Sequence, residues 1–86
     1  MPTISCFFGI YIMMHVREHA PPHFHAEYHG QEALIHIQTG EVIKGVLPPS
    51  ALRLVEQWRT LHVDELQRNW DGARQLIIPK KIPPLE

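Results

Sequence analysis

The sequence predicts an α+β fold: an antiparallel meander of about five strands, in two or three hairpins, followed by two C-terminal helices packed on the sheet. Three observations carry that prediction. Residues 23–28 read His-Phe-His-Ala-Glu-Tyr, a strict alternation that sends His23, His25 and Glu27 one way and Phe24, Ala26 and Tyr28 the other. The pairs Phe8-Gly9, His29-Gly30 and Thr39-Gly40 punctuate the first half as hairpin turns would. After Pro48-Pro49 the alternation gives way to apolar residues at helical spacing: Ala51, Leu54, Val55, Trp58 and Leu61.

The first hairpin joins Thr3–Phe7 to Ile10–Met14 through Phe8-Gly9, where glycine supplies a positive φ. Both arms are apolar on both faces, which predicts cover on two sides or a central place in the sheet. A polar connection, His15 to Ala20, leads to Pro21-Pro22. These prolines fit a strand entry, because they fix φ and cannot donate a ladder hydrogen bond. The second hairpin, His23–Tyr28 and Gln31–Ile37, turns at His29-Gly30. A two-residue loop there pairs Tyr28 with Gln31, Ala26 with Ala33 and Phe24 with Ile35, so every apolar alternate lands on one face. The same register sets His23 opposite His36 and His25 opposite Leu34. Glu41–Val46 reads as a further strand.

Pro48-Pro49 suits a helix start. Leu66, Trp70 and Ala73 continue the apolar stripe, but at about 100° per residue it has rotated by roughly a quarter turn. A break near His62-Val63 follows, with Asp64 and Glu65 in the first turn of a second helix, where carboxylates suit the dipole. Trp58 and Trp70 read as core anchors. Cys6 reads as a small buried hydrophobe. Arg53, Arg59, Arg68 and Arg74 alternate with acidic residues as a solvated face.

At 86 residues the chain reads as one domain, 1–86, divided into a meander over 1–46, a helical part over 48–77 and an extended tail over 78–86. A net charge of −1 gives no global basic field for nucleic acid or an anionic membrane. One cysteine excludes an internal disulfide framework. The apolar run Ile4 to Val16 is too short to span a bilayer and has no basic leader before it. A cytoplasmic protein without a membrane partner is expected. Mixed helical charge and the lack of a helix-turn-helix glycine turn argue against DNA.

Most of the 7 histidines fall between His15 and His36. In the register above, His23, His25 and His36 share a face, with Glu27 and Glu32 close by. Three imidazoles with an open position form a catalytic-type set for a divalent metal such as zinc. His15 or His19 can reach in from the connection. The spacing matches no HExxH or paired CxxC motif. General acid–base work without metal is the other chemistry, using His19, His23, His25 and Glu27, with Glu18 as a further carboxylate. Cleavage of RNA by 2′-OH activation is one reaction such a set supports. The plain alternative is a half-solvated sheet face, or one covered by helix residues.

The opening Met1-Pro2-Thr3-Ile4, the Phe8-Gly9-Ile10 turn and above all His19-x-Pro21-Pro22-His23-Phe24-His25-Ala26 resemble a family of short bacterial proteins catalogued as a domain of unknown function, number 4160 in that series. Leu47-Pro48, Trp58, Leu61-His62, Asp64-Glu65-Leu66 and Asn69-Trp70 are similar to its second half. Glu18 matches the family's acidic residue ahead of the motif. Many members carry an aromatic at the position of His15, which the resemblance therefore leaves outside the shared set. Members are often encoded beside a second small protein in a toxin–antitoxin-like layout. The resemblance thus implies an interaction or regulatory component with a small protein partner encoded nearby; a homo-oligomer is the other association expected. The apolar excess of the first hairpin suits a partner surface. The alternative function is a His-based hydrolase or ribonuclease, metal-dependent or not, using the His23-Phe24-His25 strand, with RNA as a candidate partner.

Overall fold

The structure is a computed structural model and describes residues 3–86. Five strands, β1 (Thr3–Phe7), β2 (Ile10–Met13), β3 (His23–Tyr28), β4 (Gln31–His36) and β5 (Val42–Gly45), precede two helices, α1 (Pro49–Leu61) and α2 (Val63–Ala73). The sheet order is β1-β2-β3-β4-β5 with every pair antiparallel, which is the expected meander and helical pair. Met1 and Pro2 of the family-like opening lie outside the described residues.

The two tight turns have a common cause. Phe8 and Gly9 have φ of 51° and 79°, and His29 and Gly30 have φ of 50° and 83°. Two successive positive values match the right-handed twist of the strands they join. The second turn fixes the β3–β4 register at Tyr28↔Gln31, Ala26↔Ala33, Phe24↔Ile35, His25↔Leu34 and His23↔His36, as alternation predicted. Phe24, Ala26, Ala33 and Ile35 are buried together with Ile10 and Ile12, so one face of the sheet is the core face.

That face packs on α1. Trp58 is fully buried, with its ring 5.6 Å from Phe7 and 5.8 Å from Phe24. Truncating such a side chain to alanine costs about 3–5 kcal/mol. The chain breaks at His62, which ends α1 and precedes α2. The break lets Leu66 and Trp70 reach the same core as Val55 and Trp58 despite the rotated stripe. Asp64 and Glu65 occupy the first turn of α2.

The tail is anchored at three points. Asn69 Nδ2 donates to Lys80 O at 2.9 Å and its Oδ1 accepts from Lys80 N at 3.0 Å. Trp58 Nε1 donates to Pro83 O at 2.9 Å. Ile82 N donates to Ile4 O at 2.8 Å, and its side chain is buried. The tail thereby occupies the outer edge of β1, which would otherwise present unpaired backbone groups.

Three expectations are corrected. The first hairpin is not central: β1 ends the sheet, and Cys6 and Tyr11 are exposed. Their strands are half-buried, with Ile4, Phe7, Ile10 and Ile12 supplying the core. Cys6 is consequently not a buried hydrophobe. Arg59 is not part of a solvated face: it is 6% exposed, its Nη1 donating to Ile37 O at 2.9 Å while Nε and Nη2 hold Glu56.

Candidate functional site

β3 sets His23 and His25 on the face away from Phe24 and Ala26, their ring centroids 5.5 Å apart. The connection between β2 and β3 brings two further residues to them. His15 meets the His25 ring edge-on at 4.4 Å. Glu18 reaches both β3 imidazoles, with Oε1 2.7 Å from His25 Nε2 and Oε2 3.8 Å from His23 Nε2. The Ala20–Pro21 peptide in this connection is cis.

His25 is held at both nitrogens. Its Nδ1 lies 2.8 Å from Glu32 Oε2 on β4 and its Nε2 faces Glu18. A ring meeting two carboxylates only as donor carries both protons; a neutral ring donates through one nitrogen and offers a lone pair at the other. His23 is held at one nitrogen: its Nδ1 is 2.8 Å from Pro21 O. A carbonyl accepts, so Nδ1 carries the proton, and in the neutral ring Nε2 is a bare lone pair. That Nε2 is buried and has no hydrogen-bond partner among the described residues. The residue is 5% exposed, with Trp70 of α2 against its ring at 5.2 Å.

The electrostatics follow from this packing. Burial first, and the neighbouring His25 second, push the His15 pKa below the ordinary imidazole value, with Glu18 opposing. Burial alone would raise Glu18. The hydrogen bond from His25 and the charges of His25, His23 and His15 together outweigh it and leave Glu18 below the ordinary carboxylate range. The cluster therefore favours an ionised carboxylate beside a neutral His15.

Of the residues nominated from sequence, His23 and His25 meet here. His36 does not join them. Its Nδ1 accepts the backbone N–H of Gln38 at 3.1 Å and of Thr39 at 3.4 Å, shaping the turn before β5. Glu27 accepts from Gly30 N at 2.9 Å and closes the hairpin turn. His19 is exposed in the connection. Among the described residues, His15, Glu18 and His25 offer donor atoms that all lie within 4.8 Å of one another, a grouping able to hold a cation. Periodicity could not select His15 and Glu18, because they lie in an aperiodic connection. The signal available was the acidic residue ahead of the motif.

The chain matches the family described as Domain of unknown function (DUF4160) over residues 9–71. No curated protein and no solved structure matches it. The matched span contains the whole cluster, the hairpin that presents it and both helices up to Asp71. The chain belongs to the DUF4160 domain family.

Proposed function

We propose that this protein is a His-based hydrolase whose working groups are His15, Glu18, His23 and His25, with RNA phosphodiesters as the substrate class to examine first. The observation that supports it is the convergence of three imidazoles on one carboxylate at a partly open face. Hydrolysis needs a group that accepts a proton from water or a 2′-OH and one that returns a proton to the leaving oxygen. A neutral His15 suits the first role, and an imidazole held by carboxylates suits the second. Purified protein would be assayed on single-stranded RNA and on a generic phosphodiester, with His25→Ala and Glu18→Gln alongside. A loss of about 10²–10⁴-fold in a folded variant is the expected outcome. Turnover that ignores both substitutions, or no turnover by the parent protein, ends the reading.

A second reading has its own support. As a regulatory member of a toxin–antitoxin-like pair, the protein would bind a small protein encoded nearby. β5 is exposed along its length and has one strand neighbour. Val42, Ile43 and Val46 are exposed there, an apolar edge suited to strand addition by a partner. Light scattering on the protein alone and mixed with that neighbour tests it; a monomer that ignores the neighbour would overturn it.

A further inference from the structure

We infer that His15, Glu18, His23 and His25 form a binding site for one divalent transition-metal cation of the zinc class. The inference rests on the hydrolase reading for the location of the site and revises its roles: once a cation is bound, His15 and His25 hold it through the nitrogens that would otherwise move a proton. Three independent features of the cluster point the same way.

The first is donor chemistry. Imidazole nitrogens with one carboxylate oxygen suit zinc and its neighbours, whereas magnesium and calcium take oxygen sets. Donor atoms of His15, Glu18 and His25 already lie within 4.8 Å of one another, and His23 Nε2 is 3.8 Å from the second Glu18 oxygen.

The second is the shell behind the donors. Ligating histidines usually donate their other ring N–H to a carboxylate or a carbonyl, which fixes the tautomer and aims the lone pair. Both arrangements occur here. Glu32 stands behind His25 Nδ1 at 2.8 Å, and Pro21 O stands behind His23 Nδ1 at 2.8 Å. Each leaves Nε2 directed toward Glu18. His36 has the opposite arrangement: its Nδ1 accepts backbone N–H groups, so it is built into a turn rather than turned toward a cation.

The third is the partnerless nitrogen. A buried acceptor without a partner is unfavourable and calls for an explanation. An ion pair of doubly protonated His25 with Glu18 and Glu32 accounts for His25. It leaves His23 Nε2, buried and unpaired, with no role. A cation between the imidazoles and Glu18 gives that nitrogen a partner and binds His25 in the same act.

The test uses untagged full-length protein stripped with chelator and titrated with zinc. Cobalt(II) follows as an optical probe. One equivalent per chain is expected, with an intense tetrahedral visible band for cobalt and zinc–nitrogen distances of about 2.0–2.1 Å by X-ray absorption. Glu18→Gln and His25→Ala abolish binding; His15→Ala and His23→Ala weaken it. Glu32→Gln replaces an exposed side chain and leaves the ligands in place. It lowers affinity by about 10–100-fold, which keeps the inference testable if a ligand variant fails to fold. His29→Ala and His36→Ala bind as the parent does. Absence of stoichiometric binding, or loss shared equally by His29→Ala and His36→Ala, overturns the inference. Zinc binding without hydrolysis supports it and ends the hydrolase reading. Hydrolysis by metal-free protein that also fails to take up zinc overturns it and leaves the hydrolase reading standing.

Discussion

Arg59 shows how one side chain can tie two layers together. It leaves α1 and caps the end of β4 through Ile37 O and Gln38 O, at 2.9 Å and 3.3 Å. Glu56, one turn back, holds the rest of the guanidinium. Arg59→Ala strands a buried carbonyl and should cost about 1–3 kcal/mol by denaturant unfolding. The same pair predicts a pH dependence. The hydrogen bond from Arg59 holds the Glu56 carboxyl below its ordinary value, against a smaller opposing effect of burial. A carboxyl depressed by folding adds stability above its unfolded pKa and loses it as pH falls through its folded pKa. Glu56→Gln should therefore be less stable than the parent near neutrality. The gap should close as acid takes the pH below the ordinary carboxylate range. Glu56 is half-exposed, so the gap is small, about 1 kcal/mol or less. Unfolding midpoints measured across pH check it; a constant gap would contradict it. A helical wheel sets Arg59 about 40° from Val55, at the border of the apolar stripe, and Arg53 about 160° away. Reading every arginine as one solvated face obscured that difference, and the approach of the β4 end to α1 is what buries Arg59. Glu18 was nameable in sequence for a different reason, its place ahead of the motif, and His15 as one of two residues able to reach in from the connection; the fold chose it over His19.

Among the elements, β3 and β4 were the most legible. Their alternation and a two-residue turn allow one register that buries Phe24, Ala26, Ala33 and Ile35 on the same face, and slipping by one residue would expose all four. The first hairpin was less legible. Its apolar residues on both faces suggested double cover, yet Tyr11 and Cys6 are exposed on the sheet face opposite Ile10 and Phe7, which point into the core. Gly45 illustrates a constraint that composition does not show. Its φ is +86°, and a Cβ there would run into the carbonyl oxygen of Glu32. Gly45→Ala should cost about 1–3 kcal/mol from backbone strain alone, with the overlap adding to it. Loosened pairing of β5, read by amide exchange at residues 42–45, should accompany the loss. The tail strap makes a further prediction. Asn69→Ala removes both bonds to Lys80. Faster amide exchange should then appear at Ile82 and in β1 before any change in β3, and uniform exchange in both strands would argue against a separable strap.

At the scale of the molecule, the radius of gyration is 11.5 Å, close to the ~12 Å expected for this chain length. The two sheet edges are treated differently: the tail covers β1, while β5 stays open. Among the described residues no helix is long and apolar enough to cross a membrane. If the open edge receives a partner strand, Ile43→Lys should weaken association at least tenfold while leaving the melting temperature of the isolated chain nearly unchanged. Titration calorimetry with a candidate partner measures the first quantity and a thermal scan the second. The cluster lies on the β3 face rather than at this edge, so partner binding and zinc binding should prove separable by mutation.

The chain's single cysteine stands exposed on β1, in a shallow groove shared with Lys81, Ile82 and Pro83. A maleimide fluorophore would attach there and nowhere else. Its anisotropy would report how often the strap lifts and would give that motion an optical readout.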